Sequence, residues 1–104
     1  MGRCIVQVDR RKFKLGEVVY IMLTNVSDKA LYIGSWQVLD SSSRIIFSIE
    51  PPQALIPPSS SIMVTWFQIN NDGVQVKSGK YEITWKPKDE DGNEYSCSTQ
   101  IEIT

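Results

Sequence analysis

The chain has 104 residues, a hydrophobic share of 41% and a formal net charge of −1. This length allows one domain that buries about two-thirds of its unfolded surface, and the composition argues against disorder. The near-neutral charge argues against a nucleic-acid partner, which needs a concentrated basic face. No apolar run approaches the ~20 residues of a membrane span, and the first residues lack the hydrophobic stretch of a signal peptide. The chain could still be a trimmed piece of a secreted protein.

The first two predicted strands flank a polar segment. Cys4–Val8 alternates apolar and polar residues, and Val18–Thr24 places Val19, Ile21 and Leu23 on one side. Such alternation is typical of a strand with one buried face. Between them, residues 9–17 contain the basic cluster Arg10, Arg11, Lys12 and Lys14, for which we predict a solvated loop.

The middle of the chain predicts a long strand, a shorter strand and an irregular segment. Within Ala30–Asp40, Leu31 and Ile33 indicate one buried face whereas Trp36 and Val38 indicate the other, so we expect a bulge at Gly34. Arg44–Ile49 is the fourth strand. Prolines then bracket residues 53–56 on both sides, and because proline lacks a backbone N–H, this segment is predicted to be irregular or an edge.

The next two predicted strands meet at a corner, and a hairpin joins the second of them to the last strand. Ile62–Phe67 is followed by a polar loop and a turn at Ser78–Gly79, after which Tyr81, Ile83 and Trp85 alternate with polar residues. An acidic hairpin loop, residues 88–93, leads into the last strand, Glu94–Ile103, since Asp-Gly favours a tight turn.

Seven short strands without helical periodicity predict an all-β, immunoglobulin-like two-sheet β-sandwich of antiparallel strands, a single domain spanning residues 1–104. A closed barrel is the alternative. The tryptophans and Tyr81 are predicted to fill the space between the sheets, with the Trp85 ring inside. The predicted structural corner comprises Trp66, Gly73, Gly79, Tyr81 and Trp85. Its glycines permit positive φ, and the Tyr81 hydroxyl can bond back to the loop backbone.

Two cysteines, Cys4 and Cys97, fit neither a zinc quartet nor a CxxC redox motif. Both occupy apolar-face positions of predicted terminal strands. A disulfide between them requires Cα atoms within about 7 Å and would indicate an oxidising compartment or a thermophile cytosol. Two separate buried thiols are the alternative.

A possible partner surface involves Met63 and Phe67, which the alternation places opposite Trp66, together with Pro57 and Pro58. An exposed apolar patch of this kind is typical of an interaction site. Coverage of the sheet edge by the proline segment is an equally good interpretation.

Catalysis is not expected. The chain contains no histidine, so it lacks the commonest general base and cannot form a Ser–His–Asp or Cys–His arrangement. Asp89, Glu90, Asp91 and Glu94 offer calcium-type ligands, but their spacing is not that of an EF-hand loop. We therefore predict a solvated acidic hairpin, with no metal and no cofactor.

Three sequence segments carry a family resemblance: Leu15–Glu17 followed by Ile21–Asn25, then Trp66–Gln68, then Asp72–Tyr81. Together they resemble the bacterial intracellular proteinase inhibitor family, across about residues 15–85. The last segment is also similar to corner segments of filament-assembly sandwiches such as flagellar hook-capping proteins. The resemblance implies an immunoglobulin-like domain, an intracellular location and an exposed loop that blocks a serine protease. The candidate loops are Glu50–Ser61 and Lys88–Asn93, neither of which is braced by a disulfide.

These observations predict a non-catalytic, immunoglobulin-like protein-interaction domain, with inhibition of a protease as one form of that function. The alternative is a structural module of a cell-surface, appendage or larger extracellular assembly, in which edge strands pair. The expected partner is another protein, such as a protease, or a second copy of the chain. The first interpretation implies a cytoplasmic location, and the second an extracellular one.

Overall fold

The computed structural model describes residues 3–104, which form nine β-strands and no helix. The strands are β1 (Cys4–Val8), β2 (Lys12–Phe13), β3 (Val19–Asn25), β4 (Leu31–Leu39), β5 (Ile45–Ile49), β6 (Leu55–Ile56), β7 (Ser61–Trp66), β8 (Gly79–Asp89) and β9 (Cys97–Ile103). Seven of them correspond to the predicted strands. The additional two, β2 and β6, contain two residues each.

The strands form two sheets that share one core, so the all-β prediction is confirmed and the architecture is a β-sandwich. Sheet A has the order β1-β3-β7, and sheet B has the order β2-β9-β8-β4-β5, with β6 also pairing with β4. Every pairing is antiparallel except that of β2 with β9, which is parallel. The seven predicted strands thus pair antiparallel, and the one parallel pair involves β2, which the sequence did not predict as a strand.

The core consists of the inward side chains of alternating residues, as the period-2 pattern predicts. Val19, Ile21 and Leu23 of β3 and Ile83 and Trp85 of β8 are fully buried. A chain of aromatic contacts crosses between the sheets at ring-centroid distances of 5.3 to 6.4 Å, in the order Trp36, Phe47, Trp66, Tyr81. Large rings from four strands thus lock the two layers together.

The predicted bulge at Gly34 is present in β4. The pairing of β4 with β8 shifts register between Tyr32 and Ser35, and Leu31, Ile33, Trp36 and Val38 are consequently all buried. Gly34 has a φ of 64°, and a Cβ atom there would overlap the carbonyl oxygen of Lys86. Only glycine satisfies both conditions without strain.

The basic segment before β3 is only partly the solvated loop that the sequence predicts. Phe13 is 1% exposed, and its strand β2 carries the chain from sheet A to the edge of sheet B. The Arg10 guanidinium lies 4.9 Å from the centroid of the Phe13 ring and forms an ion pair with Glu17. The buried ring holds this segment against the sandwich, while its charges remain at the surface.

No helix in the part of the chain that the structure describes is long and apolar enough to cross a membrane.

Candidate interaction surface

The outward residues of the three strands of sheet A include no charged side chain. Since β1, β3 and β7 alternate strictly, every second residue points away from the core. These outward residues are Ile5, Gln7, Tyr20, Met22, Thr24, Ser61, Met63 and Thr65, and we call them the neutral face.

The register places these residues in rows across the three strands. Gln7, Met22 and Met63 form the central row, and Tyr20 lies beside Thr65 in the next row. Tyr20 is 49% exposed and Met63 is 56% exposed. A shallow depression of about 280 Å³ lies on this face and is lined by Gln7, Val8, Tyr20, Met22 and Met63, with the exposed Asp9 at its border just after β1. The neutral face therefore presents apolar, hydroxyl and amide groups to solvent, with a recess whose border carries one carboxylate, that of Asp9.

The outer face of sheet B has the opposite character. Lys80, Glu82 and Lys86 of β8 and Glu102 of β9 project from it, as is usual for a solvated sheet face. The two outer faces of the sandwich therefore differ sharply in charge.

The four residues of the predicted partner surface do not lie together. Met63 belongs to the neutral face, and Phe67, 59% exposed, directly follows β7. Pro57 and Pro58 are also exposed, but they precede β7. A strand of six residues rises about 20 Å, so the prolines and Phe67 lie near opposite ends of it. Residues of β1 and β3 complete the surface around Met63 instead.

The residues of the predicted corner lie in and around the core. Trp66 and Trp85 are almost fully buried, and the Trp85 indole N–H donates to the Ile33 carbonyl over 2.6 Å. The Tyr81 hydroxyl donates to the Lys77 carbonyl over 2.6 Å. Gly73 has a φ of 78°, and Gly79 is the first residue of β8. These contacts give the corner residues structural roles.

Cys4 and Cys97 form a disulfide between β1 and β9, with Cα atoms 6.1 Å apart. Because β1 belongs to sheet A and β9 to sheet B, the bond links the two layers. It closes a loop with a sequence separation of 93 residues.

Two fully buried amides were not anticipated from the sequence. The Gln68 side chain accepts from the Gly16 N–H and the Gln75 side-chain amide, and it donates to the carbonyls of Lys14 and Glu17. It thereby fastens the Gly-Glu turn before β3 to the corner after β7. The only sequence signal was its place directly after the Trp-Phe pair, in a segment that the family resemblance contains.

The second amide, Asn25, performs the same task at the other end of β3. Its Nδ2 donates to the carbonyls of Lys29 and Ile56, and its Oδ1 accepts from the backbone N–H and the hydroxyl of Ser27. Both amides are 0% exposed, and each makes four hydrogen bonds within the protein. Gln68 and Asn25, which both belong to the family-like segments, therefore hold loops to the strands.

The two loops considered for protease contact meet at one end of the sandwich. Together they line a cleft of about 490 Å³, which includes Glu50 and Gln53 from the first loop and Lys88 and Glu90 from the second. Gln53 braces the first loop by accepting from the Gly34 N–H and donating to the Gly34 carbonyl. Hydrogen bonds therefore preorganise a loop that no disulfide holds.

The acidic hairpin differs from its prediction because Asp89 is not solvated. Its side chain accepts hydrogen bonds from the backbone of Asp91, the backbone and side chain of Asn93, and the Tyr95 hydroxyl. The Asn93 side-chain amide first, and then these other donors, lower the pKa of Asp89 to about 2. The hydrogen bond from the Tyr95 hydroxyl to Asp89, followed by partial burial, raises the pKa of Tyr95.

Asp89 therefore serves as the anchor of the hairpin. Its carboxylate oxygens are engaged by the loop itself, and Glu90, Asp91 and Glu94 are exposed. Within residues 3–104, no group of three or more acidic, cysteine or histidine side chains is arranged to hold a metal ion.

No protein-family model and no curated protein sequence matches the chain. Among solved structures, the alkylpurine DNA glycosylase AlkC of Pseudomonas fluorescens, bound to DNA with an abasic-site analogue, aligns with 100% of this chain and 31% of its own. The TM-score is 0.57 at 9% identity. The CARDB domain of the PF1109 protein of Pyrococcus furiosus, in complex with di-metal ions, gives a TM-score of 0.56 at 9% identity, over 97% of this chain and 85% of that one.

A third similar structure is PorZ of Porphyromonas gingivalis, an essential bacterial surface component of the type-IX secretion system. It gives a TM-score of 0.52 at 16% identity, over 95% of this chain and 11% of its own. This chain thus spans less than a third of AlkC and about a tenth of PorZ. At such identities the likeness concerns the fold alone, and it agrees with a two-sheet β-sandwich.

Proposed function

We propose that the chain is a non-catalytic, immunoglobulin-like interaction domain that binds another protein through the neutral face. The observation that carries this proposal is the absence of charge from the outward residues of three strands that display Ile5, Tyr20, Met22 and Met63, with Asp9 as the one carboxylate at the border of their recess. Depletion of charge, with enrichment of tyrosine and methionine, is the composition expected at the centre of a protein interface.

The energetic reason is desolvation. Removing water from lysine and glutamate side chains costs several kcal/mol each unless they are paired. A partner that covers the neutral face meets this cost only at its border, at Asp9, whereas one that covers sheet B must pair Lys80, Glu82 and Lys86. Tyr20 offers a large amphipathic ring at low conformational-entropy cost, which suits it to anchor a contact.

Site-specific photo-crosslinking tests this proposal. A photoreactive phenylalanine analogue replaces Tyr20 in one protein and Gln100, which lies on sheet B, in the control protein. In an extract of the source organism, the Tyr20 probe is expected to form one dominant adduct with a different protein. Excess parent chain should compete for this adduct, and the Tyr20→Lys chain should not. Equal adducts from both positions, or competition by Tyr20→Lys, would refute the proposed face.

Protease inhibition is a second candidate, and the convergence of the two loops favours it. Both loops line one cleft and each is braced by a buried or bonded side chain, Gln53 in one and Asp89 in the other. Preorganisation of this kind lowers the entropic cost of binding. Stoichiometric loss of activity in a panel of serine proteases would support it, with Gln53→Ala as the weakened variant. A panel in which no protease slows would eliminate it.

A structural module of a surface or extracellular assembly remains the alternative class. The Cys4–Cys97 disulfide favours it over an intracellular inhibitor, since disulfides persist in oxidising compartments. Mass measurement of the protein isolated from its source, with and without reduction and alkylation, decides whether the cysteines are bonded there. Free thiols would favour the intracellular interpretation.

A further inference from the structure

The outer edge of β7 is an open template for another strand. The Asn25 N–H donates to the Ser60 carbonyl over 2.9 Å, which fixes the phase of the β3–β7 ladder. In an antiparallel pair, hydrogen-bonded residues alternate with residues whose N–H and C=O point away. By this alternation, Ile62, Val64 and Trp66 bond to β3, while the backbone groups of Ser61, Met63 and Thr65 point outward. Within residues 3–104, these outward groups have no backbone partner.

The edges of sheet B are partly protected, in contrast. Along β5, the Asn71 side chain accepts from the Ser48 N–H and donates to the Ser48 carbonyl, and the Asn71 N–H donates to the Ile46 carbonyl. At the other edge, β2 lies within the basic cluster Arg10, Arg11, Lys12 and Lys14 and pairs with Glu102 and Ile103 of β9. Within residues 3–104, it leaves Ser98 and Gln100 of β9 without a strand on that side. Capped groups, short strands and dense charge are the usual means of preventing edge-to-edge association.

None of these means protects β7. Its sequence, Ser-Ile-Met-Val-Thr-Trp, contains no charge, proline or glycine, and its register with β3 runs without a shift over six residues. On the far side of sheet A, β1 is tied to sheet B by the disulfide and flanked by Arg3 and Asp9. β7 is therefore the longer open edge, with three outward residues and no charge, whereas the uncovered part of β9 has two and adjoins Glu102.

We infer that β7 pairs antiparallel with β7 of a second copy, about a two-fold axis at Met63. This goes beyond the proposed function, because it uses the edge of sheet A and a second copy of the chain, whereas the proposed function uses the outer face and a different protein. The two-fold axis places Met63 opposite Met63 and Ser61 opposite Thr65 of the second copy. Because the Ser61–Thr65 pairing occurs twice, there are three pairs, all of outward-facing residues. Each pair contributes two backbone hydrogen bonds.

The side chains of β7 match themselves in this arrangement. Ile62 faces Val64 of the second copy on the inner side, and both are only half-buried in the single chain. The outer side pairs hydroxyl with hydroxyl and methionine with methionine, and opposes no like charges, which destabilise cross-strand pairs. A second copy therefore covers the exposed flank of the core and extends sheet A to six strands. Such an isologous contact closes after two copies.

Sedimentation equilibrium over a wide concentration range tests the inference with two variants at one position. Thr65→Pro removes an outward N–H without touching the bonds to β3, as proline is tolerated on an open edge. Thr65→Val keeps the N–H and removes only the hydroxyl. The parent and Thr65→Val are expected to dimerise with equal affinity within about threefold, and Thr65→Pro at least tenfold more weakly. A monomeric parent, or equal affinity in all three proteins, would overturn the inference.

A variant at another position, Met63→Lys, tests the inference if Thr65→Pro does not fold. Met63→Lys adds a charge at an exposed position, so the single chain tolerates it, but the two-fold axis sets the two new charges against each other. We expect dimerisation at least tenfold weaker at low salt and partly restored at high salt. An unchanged dimer would refute pairing at Met63.

The two proposals can fail separately. Tyr20→Lys changes the neutral face on the central strand and leaves the β7 edge intact. If the Tyr20→Lys protein dimerises and the parent gives no crosslinked partner, the β7 inference stands and binding of another protein through the neutral face is refuted. A crosslinked partner with a monomeric parent does the reverse.

Discussion

The Gln68 amide offers the sharpest test of how this sandwich is held together. Gln68→Met keeps the side-chain length and the unbranched Cβ, so it removes the four hydrogen bonds without opening a large cavity. The backbone strain at its φ of 58° is the same for both residues. Each lost bond is worth about 1 kcal/mol, and water reaches part of the surface turn around Gly16 once the amide is gone. We therefore expect a loss of about 3 kcal/mol in the free energy of unfolding.

Urea unfolding followed by tryptophan fluorescence measures this loss directly. With an unfolding entropy of about 2.1 cal/mol/K per residue, 3 kcal/mol corresponds to a melting temperature lower by about 14 °C. Gln100→Met, on the exposed face of β9, is the matched control and should change stability by less than about 0.5 kcal/mol. If Gln68→Met were as stable as this control, the amide would not be holding the Lys14–Glu17 turn to the corner.

Three further perturbations test other parts of the frame. Replacing Cys4 and Cys97 together by serine should lower stability by about 4 to 5 kcal/mol through the long loop that the disulfide closes; a reduced parent equal to the oxidised one in urea would contradict this. Gly34→Ala should cost about 3 kcal/mol or more in thermal unfolding because of its clash with the Lys86 carbonyl. The control Gly92→Ala shares the positive φ but has open space, so it should cost only about 1 to 2 kcal/mol, and similar losses in both would disprove the clash. For Asp89→Asn, the folded-state pKa of about 2 lies below the ordinary 3.8, so the stability that the carboxylate contributes is present above about pH 4 and disappears as the pH falls through 2. The difference in melting temperature between parent and Asp89→Asn should accordingly be largest at neutral pH and shrink below pH 4, and a difference independent of pH would rule out the charge as its source.

The inward residues of the long strands were predictable because burial on one face imposes a strict local period. Val19, Ile21 and Leu23 could be assigned from seven consecutive letters, and so could Ile83 and Trp85. Even the bulge at Gly34 followed from the conflict between two apolar faces in one strand. Local alternation was sufficient for these elements, since each face is set by the strand itself.

The short strand β2 could not be predicted in the same way. It exists because Phe13 is buried and because the backbone beside it pairs with the last strand, about ninety residues further along the chain. A single phenylalanine among basic residues has no period to detect. The burial of Asn25, Gln68 and Asp89 was missed for a related reason, as polar residues in loops are normally solvated.

The candidate site is a property of three strands together and could not be recognised from any one of them. The outward residues of β1, β3 and β7 are unremarkable separately, and their lack of charge becomes a property only when the register assembles them into one face. The sequence did indicate Met63 and Phe67, but it linked them to prolines at the far end of the strand. The open edge of β7 likewise requires the sheet order.

The side chains that hold loops to strands are different from those of the neutral face. Gln68, Asn25, Tyr81 and Asp89 are each engaged by hydrogen bonds that join loops to strands, so altering them to suit a partner would weaken the fold. The neutral face has no comparable role in folding, because its side chains point away from the core. Charged side chains at these positions would make the protein more soluble without loss of core packing. Sheet B shows that the fold accepts such charges readily. The exposure of Tyr20 and Met63 on one uncharged set of strands is therefore the reason why we propose this face, and not the corner or the hairpin, as the contact with another polypeptide.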